Sequence, residues 1–112
     1  MQVMKVKWYR KLYMGKTAKK KRYEIVWKVK HNAGMFHAHV ITLASNENNL
    51  LDIIPCRMLL QEGYPKKNMF IVGIAADYEE ALEVVQNIIM EVYHATGGFQ
   101  IRKFIMEQQE AE

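Results

Sequence analysis

The sequence predicts an α+β domain, a two-layer sandwich in which two helices cover one face of a mixed sheet of about five strands. Three observations carry that expectation. Residues 22–30, RYEIVWKVK, alternate large apolar residues with charges, the period of a half-buried strand. Met69 to Ala75, MFIVGIA, is apolar at every position, as a strand buried on both faces is. Asp77 to Ala95 repeats its apolar residues at helical spacing and ends at Gly97-Gly98.

In chain order the predicted elements run β-β-β-α-β-α-β. Residues 3–14, VMKVKWYRKLYM, place Val6, Trp8, Leu12 and Met14 on one parity, with Lys5, Lys7, Tyr9, Lys11 and Tyr13 on the other. That is a strand pattern with the usual aromatic enrichment. Gly15 to Lys21 reads as a charged connection. In the second strand Tyr23, Ile25, Trp27 and Val29 share a side, with Val26 the exception. His31-Asn32-Ala33-Gly34 has the composition of a hairpin turn, and Met35 to Ala44 returns as the third strand. Leu50 to Gln61 has helical spacing, with Pro55 forcing a kink or a restart. Asp77 with Glu80 three residues on makes a capping-box pattern for the second helix. Phe99 to Met106 is expected as a last strand, joined to residues 69–75 by a right-handed crossover.

A chain of 112 residues has room for one core, assigned to residues 1–106, and residues 107–112, EQQEAE, are expected as a frayed acidic tail. Its longest apolar run, Met69 to Ala76, falls far short of the roughly 18 residues of a membrane span. A lone cysteine, Cys56, and no secretory leader point to a reducing, cytoplasmic home.

The charge is unevenly laid out. Residues 1–30 hold eleven Lys or Arg and one acid, a net +10, whereas residues 31–112 hold five and eleven, a net −6. Such asymmetry points to an anionic partner, or to the acidic part of a second copy. If two helices cover one sheet face, the other is bare. The bare side is then expected to carry Lys5, Lys7, Tyr9, Lys11, Tyr13, Arg22, Lys28 and Lys30, with Arg102 as an addition. Cations interleaved with tyrosines suit single-stranded nucleic acid, through phosphate pairing and base stacking. The plainer reading is a solvated or protein-binding face, because edge-protecting lysines and packing tyrosines are ordinary strand residues. A homo-oligomer, with Trp8, Trp27 or Met35 filling the seam, is the third reading.

No pattern points to an enzyme or a cofactor. His37-Ala38-His39 sets two imidazoles on one strand face, too few ligands for a metal without a third from His31, Cys56 or His94. Cys56 beside Arg57 fits no nucleophile signature and reads as a small buried hydrophobe. The strand-to-helix junction at Val72–Ala76 has one glycine, and the following Asp77 and Glu79 would repel a phosphate.

The strings KLYMGKTAKKKRYEIVWKVKH, ITLASNENNLLDI and IVGIAADYEEALEVVQNIIMEVYHATGGF together resemble small uncharacterised proteins of anaerobic Gram-positive bacteria, over most of the chain. The resemblance implies a bacterial cytoplasmic protein. It brings no activity, cofactor or functional residue with it.

Overall fold

The computed structural model describes residues 7–31, 37–43, 50–59 and 69–111. Its elements are β1 (Lys7–Met14), α1 (Lys16–Lys20), α2 (Arg22–His31), β2 (His39–Leu43), β3 (Leu51–Pro55), α3 (Cys56–Leu59), β4 (Phe70–Ala75), α4 (Tyr78–Thr96) and α5 (Ile101–Glu110). The class is mixed α+β, as expected. Among the described residues the sheet has four strands in place of five, in the order β1-β4-β2-β3. β1 and β4 run parallel, and β2 is antiparallel to both β4 and β3.

β4 and α4 follow the sequence closely. β4 is buried at five of its six positions because both its faces are covered. The Asp77 side chain accepts from the Glu80 amide at 2.8 Å, and Gly97, at φ 76°, closes α4 in the left-handed conformation. Ala81, Val84, Ile88 and Val92 make the buried stripe of α4.

Four stretches depart from the expected order, and each departure has a cause. Gly15 to Lys21, expected as a connection, carries the short helix α1, whose Thr17 and Ala18 amides donate to Glu80. Residues 22–30 are helical. Ile25/Val29 and Tyr23/Trp27 are pairs four apart, so an alternating run contains the helical spacing within it. Val26, out of step in a strand, belongs with Ile25 and Val29 on the inner side of α2. An ion pair of Lys28 with Glu24 at 3.0 Å adds the helical i, i+4 link. With α2 in place, neither the hairpin nor the three-stranded meander forms. Of the expected last strand, residues 101–106 are likewise helical, Ile101, Phe104 and Ile105 turning one face to the core, so no crossover closes after α4. This helix, α5, runs on through the acidic segment to Glu110. The expected helix Leu50–Gln61 divides after Pro55: Leu51–Pro55 is the edge strand β3, and the chain restarts as α3 at Cys56. The expected turns at 32–34, 45–49 and 63–65 lie outside the described residues.

The expected bare sheet face is also corrected. Tyr9, Ile41, Leu43 and Val72 pack with α4 and α5 on one side. On the other, Val40, Ile71 and Ile74 pack with Ala18 of α1, Ile25 and Val29 of α2, and Cys56 and Leu59 of α3. Helices therefore flank the sheet on both sides. The molecule could reach this arrangement because β1 presents apolar groups both ways: Tyr9 and Tyr13 to the side of α4, Trp8, Leu12 and Met14 to the side of α1, α2 and α3. No helix among the described residues is long and apolar enough to cross a membrane.

Candidate functional site

The sheet separates the residues expected to act together. Lys5 lies outside the described residues. Lys7 is exposed at the start of β1, but Tyr9 is only 3% exposed, stacked on Tyr13 at 5.9 Å within the α4 side of the core. The Lys11 ammonium donates to Gln108 Oε1 at 2.9 Å, and the Tyr13 hydroxyl donates to Glu91 of α4. Burial and this contact with Glu91 push the Tyr13 hydroxyl's pKa up, so the ring stays neutral. These tyrosines are structural. Arg22, Lys28 and Lys30 stand on α2, across the sheet, and Arg102 is exposed on α5.

What the structure does bring together is a basic helix pair. Residues 16–31 hold seven Lys or Arg and one acid, Glu24. Lys16, Lys19, Lys20, Lys21, Arg22 and Lys30 are exposed; only Lys28 is half-buried. Among them stand two large aromatics turned to solvent, Tyr23 at 87% exposure and Trp27 at 53%. The His31 ring stacks on Trp27 at 4.4 Å and 20°, and its Nδ1 lies 2.9 Å from the Trp27 carbonyl. Tyr23, Trp27 and His31 are each four residues apart, so they form one stripe along α2, and Trp27 lies roughly 180° around the axis from the Ile25–Val29 side that enters the core. Sequence reasoning assigned Tyr23 and Trp27 to the core because it read α2 as a strand. The signal that could have found them is that α2 is apolar on two opposite sides, one more than a single core can bury.

Glu80 fixes α1. Its carboxylate accepts from the Thr17 amide at 3.3 Å, the Ala18 amide at 3.1 Å and the Ala76 amide at 3.3 Å. Gly15 is required beside it, since a Cβ there would run into the Glu80 side chain. Thus one carboxylate of α4 fills the strand-to-helix corner and satisfies the opening amides of the helix that carries the lysines.

A cleft of about 250 Å³ opens beside α2 at the carboxyl end of β4. Its floor is apolar: Ile25, Ala38 and Ala76. Its rim carries Lys21, Glu24, Lys28 and His37. His39 does not share this rim as a strand-face pair with His37 would; it packs edge-on to Tyr78 at 5.9 Å, and burial lowers its pKa. Among the described residues no group of three or more His, Cys, Asp or Glu side chains could hold a metal. The Cys56 thiol is buried and pushed up to about 12 by its apolar surroundings, which keeps it protonated at neutral pH.

No family model, no curated protein and no solved structure matches the chain.

Proposed function

We propose that the protein is a non-enzymatic interaction module that docks single-stranded nucleic acid on α1 and α2. The observation that carries this is the Tyr23–Trp27–His31 stripe set among seven cations on one short stretch of chain. Cations alone mark any solvated helix. Two exposed rings on the same helix add surfaces on which bases stack, and stacking is tolerant of sequence because every base has a π-face. The sheet-face version of this role, built on Lys7, Tyr9, Lys11 and Tyr13, has no open face to stand on. A lone, buried Cys56 fits a reducing, cytoplasmic setting.

Binding of a short single-stranded oligonucleotide, followed by fluorescence anisotropy, should weaken roughly 100-fold as salt rises from about 50 to 200 mM, the loss expected for about five neutralised phosphates. Trp27→Ala and Tyr23→Ala should each weaken it by about 1–3 kcal/mol without changing that slope much. An oligonucleotide that fails to bind the folded protein at low salt ends the proposal. So does full affinity in the doubly substituted variant.

One feature favours a second reading, self-association through β3. The outer edge of β1 is occupied: the Arg10 amide donates to Gln109 Oε1 at 2.8 Å, and Gln109 Nε2 donates to the Trp8 carbonyl at 3.4 Å. β3, by contrast, has one strand neighbour among the described residues. The Cys56 amide donates to the Ala38 carbonyl at 2.9 Å, which by antiparallel alternation turns the backbone groups of Leu51 and Ile53 outward. Pro55 has no N–H, so pairing with a second copy would centre on Ile53. Light scattering should then show a dimer that Ile53→Lys converts to a monomer. A wild-type chain that stays strictly monomeric at high concentration excludes this reading.

A further inference from the structure

We infer that the cleft beside α2 accepts one nucleotide of a bound strand, with the base on the apolar floor and the phosphate at the lysine rim. This rests on the reading that α1 and α2 dock nucleic acid. Four observations lead to it.

The first is position. Glu24 and Lys28 form part of the cleft rim and lie within roughly 100° of Trp27 around the α2 axis. A strand stacked on Tyr23 and Trp27 reaches the cleft by turning one residue inward. The second is shape. At about 250 Å³ the cleft falls below the roughly 300–1,000 Å³ of sites for drug-sized ligands, a size that suits a single base. Its floor of Ile25, Ala38 and Ala76 offers a flat ring apolar side chains to lie against. The third is charge. Lys21 and Lys28 put two ammonium groups on the rim against one carboxylate, Glu24, which lies 3.0 Å from the Lys28 ammonium. A phosphate is favoured there, and Glu24 is placed to accept from a base's exocyclic amino group. The fourth is what Glu80 does. At the carboxyl end of β4, where open α/β sheets commonly seat a phosphate on a helix N-terminus, the Glu80 carboxylate already holds the amides of Thr17, Ala18 and Ala76. An incoming phosphate is turned away from that corner and out toward Lys21 and Lys28, which leaves the floor for the base.

The test uses adenosine 5′-monophosphate and a short oligonucleotide against the full chain, with backbone amide shifts as the readout. The monophosphate should move the amides of Ile25, Ala38 and Ala76 saturably. Adenosine, lacking the phosphate, should bind at least fivefold more weakly. Ala76→Leu, at a half-exposed position, fills the floor without altering charge. It should abolish the monophosphate shifts and weaken the oligonucleotide severalfold, with its salt dependence intact. Lys21→Gln, which leaves the floor untouched, should weaken the monophosphate more than adenosine. Shifts absent from those three amides overturn the inference, as does a monophosphate affinity unchanged by Ala76→Leu. The two proposals fail separately. An oligonucleotide that binds while the monophosphate does not sinks the cleft alone. A monophosphate that binds the cleft while no oligonucleotide binds sinks the docking role and leaves a mononucleotide site.

Discussion

Ile88→Ala should lower the free energy of unfolding by about 2–5 kcal/mol. Ile88 has no exposed surface and lies midway along the buried stripe of α4, between Val84 and Val92, against the side of the sheet that carries Tyr9, Ile41 and Val72. Removing three carbons there loses the transfer free energy of the buried methyls. It also leaves a cavity that strands on one side and a 19-residue helix on the other cannot close. Denaturant melts followed by circular dichroism give the number. Ile88→Val, one methyl smaller, should lose only about 0.5–1.5 kcal/mol. Leu82→Ala, at 47% exposure on the same helix, should change stability by roughly 0.5 kcal/mol. A loss under about 1 kcal/mol for Ile88→Ala would mean that α4 does not seat on the sheet through this stripe.

Glu80→Ala should cost about 3 kcal/mol, a large effect for a surface-proximal acid. Its carboxylate serves three backbone amides from two separate parts of the chain, and hydrogen bonds to a charged partner contribute about 1.5–3 kcal/mol each. Water can replace it at the exposed Thr17 amide, less so at Ala18, which is fully buried. Glu80→Gln keeps an acceptor oxygen and should lose about half as much. The distinguishing readout is local. Amide exchange at Thr17 and Ala18 should accelerate in Glu80→Ala far more than in the interior of α4, because α1 is the element left uncapped. Uniform acceleration across the sheet would assign Glu80 a general role and not this one. Because α1 presents Lys16, Lys19 and Lys20, the same substitution should also weaken oligonucleotide binding, although Glu80 itself is an acid.

How much of this was legible depended on how many independent signals each segment carried. α4 was marked three times over, by an apolar stripe, by Asp77 with Glu80, and by Gly97, and no strand can satisfy all three. β4 was marked by its unbroken apolar run. Residues 22–30 carried a single signal, alternation, and alternation at 23, 25, 27 and 29 is shared by strand and helix wherever pairs four apart are apolar. Val26 was the one residue that discriminated. The same ambiguity hid α5, where Ile101, Phe104 and Ile105 fit a helix better than Phe99, Ile101 and Lys103 fit a strand. Those two errors decided the site. Read as a strand, α2 sends Trp27 inward and Arg22 outward onto a sheet face. Read as a helix, it sends Ile25 and Val29 inward and leaves Tyr23 and Trp27 in water. The excess of positive charge near the start of the chain was visible from composition; the surface on which it would be displayed was not. Glu80's reach to α1 joins residues more than sixty positions apart, and no local pattern announces such a contact.

The glutamine that lies along β1 has a consequence for stoichiometry. By offering its amide as a one-residue imitation of a neighbouring strand, Gln109 covers Trp8 and Arg10 on one rim of the sheet, while β3 on the opposite rim has a single strand neighbour among the described residues. Joining two such rims uses up both. If copies pair through β3 as proposed above, assembly by strand pairing should stop at a pair, because Gln109 covers the start of β1 on the other rim.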